Sequence, residues 1–266
     1  KRGIRLVAIQ PTAAYARSLG GPRYGIAGVR RRVGVESRPL LVSALKPMGR
    51  SVEAFAKDAY HLALGGIDIL KDDHGVNNQP FCPFEARIKA CASAVARANA
   101  ETGNKTAYYP TLMGPLDRML SRARFARDAG AGGFLLAPML VGFDAMRALS
   151  VETDLPVMAH PALLGAFFSS PDHGIAPHVV FGTLMRMTGA DMVVFPSWGA
   201  RFPLTREMDA DIDRALKSEI EGLASAFPVP AGGLTLGRVA EMGTVFGKDV
   251  AFLIGSALYE RSEDLT

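Results

Sequence analysis

Short, almost wholly apolar segments recur along the chain, and they do not alternate between hydrophobic and polar positions. Strands have this composition when helices cover both faces of a parallel sheet, because every side chain is then buried. We therefore predict eight strands, at residues 40–46, 67–73, 107–111, 133–139, 155–160, 191–197, 227–233 and 250–256.

The segments between these strands carry the spacing of apolar positions that is typical of amphipathic helices. In the first segment, Phe55, Ala59 and Leu62 fall on one face. Ser51 is a suitable N-cap for this helix, and the glycine pair at 65–66 marks its end. Similar patterns predict helices at residues 84–100, 116–129, 179–187, 206–223 and 236–246.

Strand and helix alternate from residue 40 to the end of the chain, which is typical of α/β proteins with a parallel sheet. The number of repeats predicts a (β/α)8 TIM barrel over residues 40–266, preceded by a leading segment at residues 1–39. The last helix would have to begin near Leu258, so we expect the barrel to be cut short after its eighth strand. An open doubly wound sheet is the alternative, but residues 46–49 (KPMG) lack its glycine-rich turn.

Composition and charge exclude several classes of protein. With 48% hydrophobic and 21% charged residues, the chain is not disordered, collagen-like or a coiled coil. Its uncharged stretches, residues 129–143 among them, are all shorter than the roughly 20 residues of a membrane-spanning helix. The net charge of +4 favours an anionic small molecule as the ligand. Nucleic acid is not favoured, because the early basic residues lack a recognition motif and an aromatic stacking platform.

Cysteine usage bears on the compartment. Cys82 and Cys91 are too few for a disulfide framework or a cysteine metal cage, so they indicate a reducing compartment and a cytoplasmic location. No secretory leader is visible, although a start at Lys1 without methionine is consistent with the removal of a leader or a whole domain.

Polar side chains gather at the carboxyl ends of the predicted strands, where barrel enzymes carry their active residues. Lys71 and Asp73 are two apart on one strand, so both side chains point to the same side. Burying these charges is costly unless they pair with each other or bind a metal ion, and the pattern leaves both interpretations open. The other candidates at strand ends are Lys46, Asp72, His74, His160, Ser197 and Ser256.

Some of these candidates have simpler explanations. Lys46 could be a solvated lysine at a strand end, and His160 could be a hydrogen-bonded histidine of the core. His178 lies near a predicted helix start, where a histidine is usually a surface residue without a role in the site. Gly232-Gly233 and Gly255-Ser256 follow strands seven and eight. Barrel enzymes often bind phosphate there through backbone N–H groups, so these pairs predict a phosphate subsite.

Longer motifs resemble a known family. Residues 38–79 contain KPxxG and GGxDxxKDD, and PVMAHPALLG, GIAPHVVFGTLMRMTGAD, FPVPAGG and FLIGSAL follow in the same order as in the large chain of ribulose-bisphosphate carboxylase. Residues 11–26 resemble the segment that links that family's amino-terminal domain to its barrel. The resemblance implies that this chain holds the barrel without the amino-terminal domain. It also implies a homodimer or higher oligomer, since that domain completes a neighbour's active site in the family.

The resemblance assigns roles to individual residues. Lys46 matches the lysine that removes the substrate proton, and His160 matches the histidine at the fifth strand. Lys71 matches the carbamylated lysine and Asp73 the aspartate of a metal site, which implies Mg²⁺ as the cofactor with CO2 bound as a carbamate on Lys71. His74 stands where the family has a glutamate ligand, so it is the third candidate ligand.

One of the family's two phosphate sites is altered. Pro161 replaces an arginine and Ala231 replaces a serine, while the next histidine of this site falls at Pro177 or His178. The other site is kept, at Gly232, Gly233, Gly255 and Ser256. A bisphosphate would leave one dianion without compensation, so we expect a substrate with one phosphate.

The machinery for CO2 fixation is altered as well. Met48 replaces a second lysine after the first strand, and Arg201 replaces the loop lysine that positions the carboxyl group for gas addition. The chain therefore resembles a Rubisco-like protein rather than a carboxylase.

These features imply a Mg²⁺-dependent enzyme that forms an enolate or enediolate from a singly phosphorylated sugar or sugar acid. We favour a decarboxylase of a 3-oxo sugar-acid phosphate, of the 3-oxo-isoapionate 4-phosphate type, because Arg201 adds a cation where a carboxylate can sit. The alternative is an isomerase or enolase of 5-methylthioribulose 1-phosphate or a related methylthio-sugar phosphate. A catalytically silent barrel scaffold is the third reading, which the retention of four costly polar residues disfavours.

Overall fold

Eight parallel strands form the centre of the computed structural model, which describes residues 3–199, 204–261 and 265–266. The predicted α/β class and TIM-barrel architecture are confirmed, and each predicted strand is present with shorter ends. The barrel strands within the described residues are β1 (Leu40–Leu45), β2 (Ile69–Asp72), β3 (Ala107–Tyr109), β4 (Phe134–Leu136), β5 (Val157–Ala159), β6 (Met192–Pro196), β7 (Phe227–Ala231) and β8 (Ala251–Leu253). Two further short strands, Arg5–Leu6 and Gly174–Ile175, pair in parallel outside the barrel.

The barrel strands pair in two parallel groups, in the order β8-β1-β2-β3 and β4-β5-β6-β7. The groups are joined between β3 and β4, where the Gly132 N–H donates to the Tyr108 carbonyl and Thr111 forms a parallel bridge with Leu135. Neighbouring strands in the barrel are therefore also neighbours in sequence, as strand–helix–strand units require.

The seam between β7 and β8 depends on packing more than on a ladder of hydrogen bonds. The Phe227 N–H donates to the Asp191 carbonyl, and the Ala231 carbonyl accepts from the Ser197 N–H, so these residues of β7 face β6. Alternate residues of a strand face opposite neighbours, which turns Pro228 and Pro230 towards β8. Proline has no N–H to donate, so β7 contributes no donors from these positions to β8.

Helices cover the outside of the barrel. After the strands come α1 (Val52–Leu64), α2 (Phe84–Thr102), α3 (Leu116–Asp128), α4 (Phe143–Thr153), α5 (Arg206–Lys217), α6 (Val239–Phe246) and α7 (Ser256–Arg261). A π-helix at His178–Leu184, continued by Met185–Met187, lies between β5 and β6. The short helices are Pro138–Val141, Gly165–Phe168 and the 3-10 helix Leu236–Arg238, and two helices precede the barrel at Ala13–Leu19 and Gly25–Val33. Among the described residues, no helix is long and apolar enough to cross a membrane.

The start of α1 agrees with its prediction. The Ser51 hydroxyl accepts a hydrogen bond from the Ala54 N–H, as an N-cap residue does. Phe55, Ala59 and Leu62 are all buried beneath the helix. The apolar spacing and the cap residue are sufficient here because both act within the helix itself.

The helices differ from the sequence prediction in several places, including the end of α5 and the presence of α4. The helix predicted at residues 206–223 ends at Lys217, because residues 220–223 turn back and Leu223 packs against Ala16 of the helix Ala13–Leu19. The helix α4 has no counterpart among the predicted helices. Its buried face includes Ser150 and Thr153, so its apolar spacing is weak.

The helix Gly25–Val33 closes the amino-terminal end of the barrel. Its Val29 and Val33 are buried in the same cluster as the inward-facing side chains of the strands. The carboxylate of Asp191, before β6, accepts hydrogen bonds from the N–H groups of Tyr24 and Gly25 at 2.6 and 2.7 Å. The carboxyl end of the barrel is consequently the open end.

Candidate active site

A cavity of about 700 Å³ lies at the carboxyl ends of the strands. It brings together side chains and glycines from loops that are far apart in sequence. The predicted site residues that line it are Lys46, Lys71, His74, His160, Gly232, Gly233, Gly255 and Ser256.

Lys71 is the most deeply placed cation of this cavity. It belongs to β2, is 2% exposed, and its Nζ donates to the Asp72 carbonyl at 3.1 Å. Burial lowers the pKa of Lys71 to about 8; the charge of Lys46 also lowers it, and Asp73 opposes the shift. A larger fraction of this amine is therefore neutral near physiological pH than in an ordinary lysine, and the neutral amine is the form that reacts with CO2.

Asp73 and His74 follow Lys71 at the end of β2. Asp73 Oδ1 accepts a hydrogen bond from the Gly75 N–H at 3.0 Å and lies 3.5 Å from His74 Nδ1. Burial lowers the pKa of His74 although Asp73 opposes the shift, so the imidazole is available as a neutral ligand. His74 lines the cavity, and Asp73 is not part of its lining.

The donor set bears on whether Mg²⁺ fits here. The described residues contain no group of three or more His, Cys, Asp or Glu side chains placed to hold a metal ion. Asp73 supplies one carboxylate, and Mg²⁺ prefers oxygen ligands. A carbamate on Lys71 would add an anionic oxygen beside Asp73, so the residues fit the ion on condition that this lysine is carbamylated.

His160 follows β5 and stacks on His74, with ring centroids 4.2 Å apart and 14° between the ring planes. Its Nδ1 accepts a hydrogen bond from the Ala162 N–H at 3.2 Å. Burial, followed by the charges of Lys71, His74 and Lys46, lowers the pKa of His160 to about 2, so the ring is neutral. A neutral imidazole that accepts at Nδ1 carries its proton on Nε2, which leaves Nε2–H as a donor.

Lys46 lies at the end of β1. Its carbonyl accepts a hydrogen bond from Arg50 Nη1 at 2.8 Å, and Arg50 also pairs with the buried Asp58 of α1. A Cβ atom at Gly255 would lie 3.7 Å from Lys46 Nζ. The amine of Lys46 therefore lies beside the loop after β8.

The glycines after β7 have conformations that favour glycine over other residues. Gly232 and Gly233 have φ of 95° and 113°, in the left-handed region. Among the described residues, no protein acceptor receives their N–H groups. Free backbone donors without side chains beside them suit a phosphate, which accepts several hydrogen bonds at close range.

Beyond His160, the part of the cavity formed by the segment after β5 is apolar. Pro161, Leu163 and Phe168 line it, from the segment that follows β5. Leu163 has φ of 71°, an uncommon conformation for a residue with a side chain. The cavity thus has a glycine-rich side after β7 and β8 and an apolar side after β5.

Several lining residues were missed by sequence reasoning. Leu163 lies in a loop and Phe168 ends the short helix Gly165–Phe168, which is too short to give a periodic signal. Glu260 also lines the cavity, because α7 begins at Ser256 rather than near Leu258 and so places Glu260 one turn after Ser256. The four-residue spacing from Ser256 could have indicated Glu260.

Among the predicted residues, Asp72, Asp73, Ser197 and His178 do not line the cavity. His178 lies outside the cavity lining, with its Nε2 3.0 Å from the Val7 carbonyl. Arg201 lies outside the described residues. The Lys71–Asp73 ion pair considered from sequence is also absent among the described residues, where Lys71 Nζ donates to a backbone carbonyl instead.

Similarity to known proteins identifies the family. The family model of the ribulose bisphosphate carboxylase large chain, catalytic domain, matches residues 25–201. The chain is 43% identical over 251 residues to 5-methylthioribulose-1-phosphate isomerase of Rhodospirillum rubrum, covering 94% of this chain and 66% of that protein. It is 36% identical over 259 residues to 2,3-diketo-5-methylthiopentyl-1-phosphate enolase of Geobacillus thermodenitrificans, covering 96% of this chain and 63% of that protein.

Solved structures agree with these matches. A Rubisco-like protein from Rhodopseudomonas palustris superimposes with a TM-score of 0.89 at 42% identity, over 93% of this chain and 69% of that one. Octameric Rubisco from Pyrococcus horikoshii gives a TM-score of 0.94 at 32% identity, over 99% of this chain and 63% of that one. The chain spans about two thirds of the length of these relatives. It belongs to the ribulose bisphosphate carboxylase large-chain family and, within that family, to the Rubisco-like proteins.

Proposed function

We propose that this barrel enolises a singly phosphorylated methylthio sugar, in an isomerase or enolase reaction. The observation that carries the proposal is the asymmetry of the cavity, with Lys46 and free glycine N–H groups on one side and an apolar wall on the other. A phosphate suits the first side, and a neutral, apolar tail such as a methylthio group suits the second.

The relatives support this alternative over decarboxylation, the outcome that Arg201 favoured from sequence. The relatives described above are an isomerase and an enolase of methylthio-sugar phosphates by name. They give no support to a decarboxylase. The apolar wall gives none either, because a substrate carboxylate against Pro161, Leu163 and Phe168 would lose its hydration without gaining a partner from these three side chains.

The phosphate is proposed to bind to the backbone of Gly232 and Gly233 and to the neighbouring Gly255 and Ser256. Lys46 lies beside Gly255, so its amine reaches both the phosphate side and the carbon skeleton. We therefore assign Lys46 as the base that removes the proton next to the substrate carbonyl.

His160 supplies a hydrogen bond instead of a charge. Its neutral ring has a proton on Nε2, which can be donated to a substrate oxygen as that oxygen becomes negative. His74 keeps the His160 ring in place by stacking on it.

Lys71, Asp73 and His74 are the residues proposed to hold Mg²⁺, with CO2 bound as a carbamate on Lys71. When bound, the ion would polarise the substrate carbonyl and stabilise the charge of the enolate. The low pKa of the Lys71 amine favours its reaction with CO2, and the adjacent Asp73 carboxylate keeps the local charge balanced once the ion is present.

We also propose that the complete protein is a homodimer or a higher homo-oligomer. Solved relatives are described as a dimer and as an octamer. Large apolar side chains are exposed in the segments that follow β1 to β5, namely Met48, Phe81, Leu116, Leu140, Leu163 and Phe167. These strands end at the same side of the barrel, and exposed apolar side chains that share one side of a protein are available for a subunit contact. Sedimentation of the full-length protein tests this, and a monomer at micromolar concentration would contradict it.

The test of the reaction uses the full-length protein with Mg²⁺ and bicarbonate in deuterated water. 5-Methylthioribulose 1-phosphate, 2,3-diketo-5-methylthiopentyl 1-phosphate and a 3-oxo sugar-acid phosphate are offered separately. We expect deuterium uptake into a methylthio sugar phosphate without release of CO2. Release of CO2 from the sugar acid alone would establish the decarboxylase, and no exchange with any substrate would favour a silent barrel.

A further inference from the structure

The carboxylate of Asp72 is fixed from outside the barrel. Asp72 separates Lys71 from Asp73, and strand alternation turns its side chain away from both. It is 1% exposed. Tyr108 Oη donates to its Oδ1 at 2.7 Å, and Arg87 Nε donates to its Oδ2 at 3.1 Å. The end of β2 is therefore anchored on the side that faces α2.

Arg87 of α2 makes further hydrogen bonds beyond this ion pair. Its side chain is fully buried, and its Nη1 donates to the Cys82 carbonyl at 3.1 Å. Its Nη2 donates to the Asn77 carbonyl at 2.9 Å. Asn77 and Cys82 belong to the loop that follows β2, so one guanidinium ties that loop to the end of the strand.

The segment between these anchors carries two candidate metal ligands. Residues 73–76 run from Asp72 to Asn77 and include Asp73 and His74. The Asp73 carbonyl accepts from the Val76 N–H at 3.0 Å and from Thr111 Oγ1 at 3.2 Å. A segment this short, held at both ends, leaves its two side chains little freedom to leave the neighbourhood of Lys71.

We propose that Arg87 is a positioning residue, whose guanidinium holds both ends of residues 72–77 and so keeps Asp73 and His74 beside Lys71. The effect of Arg87 on catalysis rests on the proposed function. Its hold on both ends of residues 72–77, called the clamp below, is a property of the loop alone. A simple buried ion pair would need only the bond from Nε to Asp72. The two bonds from Nη1 and Nη2 to loop carbonyls need the planar fork of arginine, which lysine lacks.

Arg87→Lys separates these two roles because it keeps the positive charge near Asp72 and removes the fork. Arg186→Lys is the matched control. Arg186 is equally buried, at 1% exposed, and donates to the backbone carbonyls of Ala215, Ser218, Leu223 and Ala224, but it does not line the cavity.

The first measurement does not depend on activity. We expect amide hydrogen exchange in the peptide spanning residues 73–82 to become at least about tenfold faster in Arg87→Lys. The same peptide should be unchanged in Arg186→Lys, although that variant loses thermal stability. Wild-type exchange rates in folded Arg87→Lys would overturn the clamp.

The second measurement is the rate of deuterium exchange into the methylthio sugar phosphate. We expect kcat to fall roughly 10²-fold in Arg87→Lys, as a displaced catalytic group implies, with little change in KM because the phosphate lies after β7 and β8. A faster-exchanging loop with unchanged kcat would overturn the positioning role. If the wild-type protein proves inactive on these substrates, the proposed function fails and the hydrogen-exchange measurement still decides the clamp.

Tyr108→Phe provides a second variant should Arg87→Lys not fold. It keeps the buried ring and removes the hydrogen bond to Asp72 Oδ1. We expect the same direction of change in loop exchange and kcat, with smaller size. No change in either property in a folded Tyr108→Phe protein would count against the anchor at Asp72.

Discussion

Lys71 places an amine at a deeply buried position, and this has a consequence for stability. Its pKa is lowered to about 8 from 10.5, chiefly by burial. Between pH 8 and 10.5 the unfolded chain therefore binds more protons than the folded chain, so the stability contribution of this group rises with pH across that window. Below pH 8 the folded protein carries the full cost of the buried charge.

Lys71→Met removes this cost while keeping most of the side-chain volume. In CO2-free and metal-free buffer we expect the variant to be about 3 kcal/mol more stable than the parent near pH 7. The difference should shrink as pH rises from 8 to 10.5. Denaturant unfolding at several pH values measures it, with the exposed Lys248→Met as the control for loss of a lysine. A difference that is the same at pH 7 and above pH 10 would show that Lys71 is not desolvated.

Gly233 tests the phosphate side of the cavity. Its φ of 113° disfavours any side chain, and its N–H points to no protein acceptor among the described residues. Gly233→Ala should cost about 1–3 kcal/mol in backbone strain and raise KM for a monophosphate by roughly tenfold or more. Steady-state kinetics on the folded variant measure the change.

Gly103→Ala is the control for Gly233→Ala. Gly103 has φ of 75°, caps α2, and a Cβ there would meet nothing within 4 Å. It therefore carries the same kind of strain far from the cavity. An equal effect of both variants on KM would remove the evidence for phosphate binding at Gly233.

At the residue scale, the motifs located the charged and glycine positions of the cavity but not its apolar wall. Lys46, Lys71 and His160 stand directly at strand ends, where alternation and the barrel geometry bring them together. Leu163 and Phe168 depend on the path of a loop, and no spacing in the sequence fixes that path.

At the scale of elements, strands were the easier part to predict. A strand that is buried on both faces has a continuous run of apolar residues. Such a run can be recognised in the sequence without knowing which strand pairs with it. Helix ends were harder, as α5 shows: it stops at Lys217 because the following residues cover another helix, a contact that the local pattern does not contain. The helix Gly25–Val33 has an equally non-local role, because Val29 is buried in a cluster with side chains of the barrel strands.

Asp191 joins this helix to the barrel, which gives a prediction for the element. Its carboxylate accepts hydrogen bonds from the N–H groups of Tyr24, Gly25 and Val157, and it is fully buried. Asp191→Asn keeps one accepting oxygen and leaves an N–H group without a partner. We expect a loss of about 1–3 kcal/mol in the free energy of unfolding and faster amide exchange in residues 24–33.

Asp154→Asn is the comparison for this variant. Asp154 pairs with Arg23 at the surface, 69% exposed, and asparagine tolerates its left-handed backbone. We expect little change in stability there. If the two variants were destabilised equally, the buried hydrogen bonds of Asp191 would not be what holds the helix Gly25–Val33 to the barrel.

At the scale of the whole molecule, the resemblance and the geometry contributed different things. The order of motifs indicated the family, and the family model and relatives confirmed it. The reaction could not be settled in the same way: Arg201 suggested a carboxylate subsite, whereas the apolar wall and the named relatives point towards a methylthio sugar. A single cation assigned by pairing with a family motif is weak evidence, because the sequence alone does not give its position in the fold.

The two sides of the cavity lead to a prediction about substrate charge. Pro161 follows β5, and Gly232-Gly233 follows β7, so a substrate that reaches both carries its phosphate at one end and its tail against Pro161 and Leu163. A second phosphate at the tail would meet no donor from the proline and would lose its hydration. The wild-type protein should therefore bind ribulose 1,5-bisphosphate no more tightly than a monophosphate of the same skeleton.

Pro161→Arg should reverse this preference. A guanidinium at this position can form charge-assisted hydrogen bonds to a second phosphate, each contributing about 1.5–3 kcal/mol, which corresponds to roughly a 10- to 150-fold gain in affinity. Binding of the methylthio sugar phosphate should weaken in the same variant, because the apolar wall is interrupted. Pro171→Arg, at an exposed position outside the cavity lining, controls for the added charge. Calorimetric titration of both ligands into the three proteins measures the change. A wild-type protein that already prefers the bisphosphate, or equal gains from Pro161→Arg and Pro171→Arg, would show that the apolar side of the cavity does not select against a second phosphate.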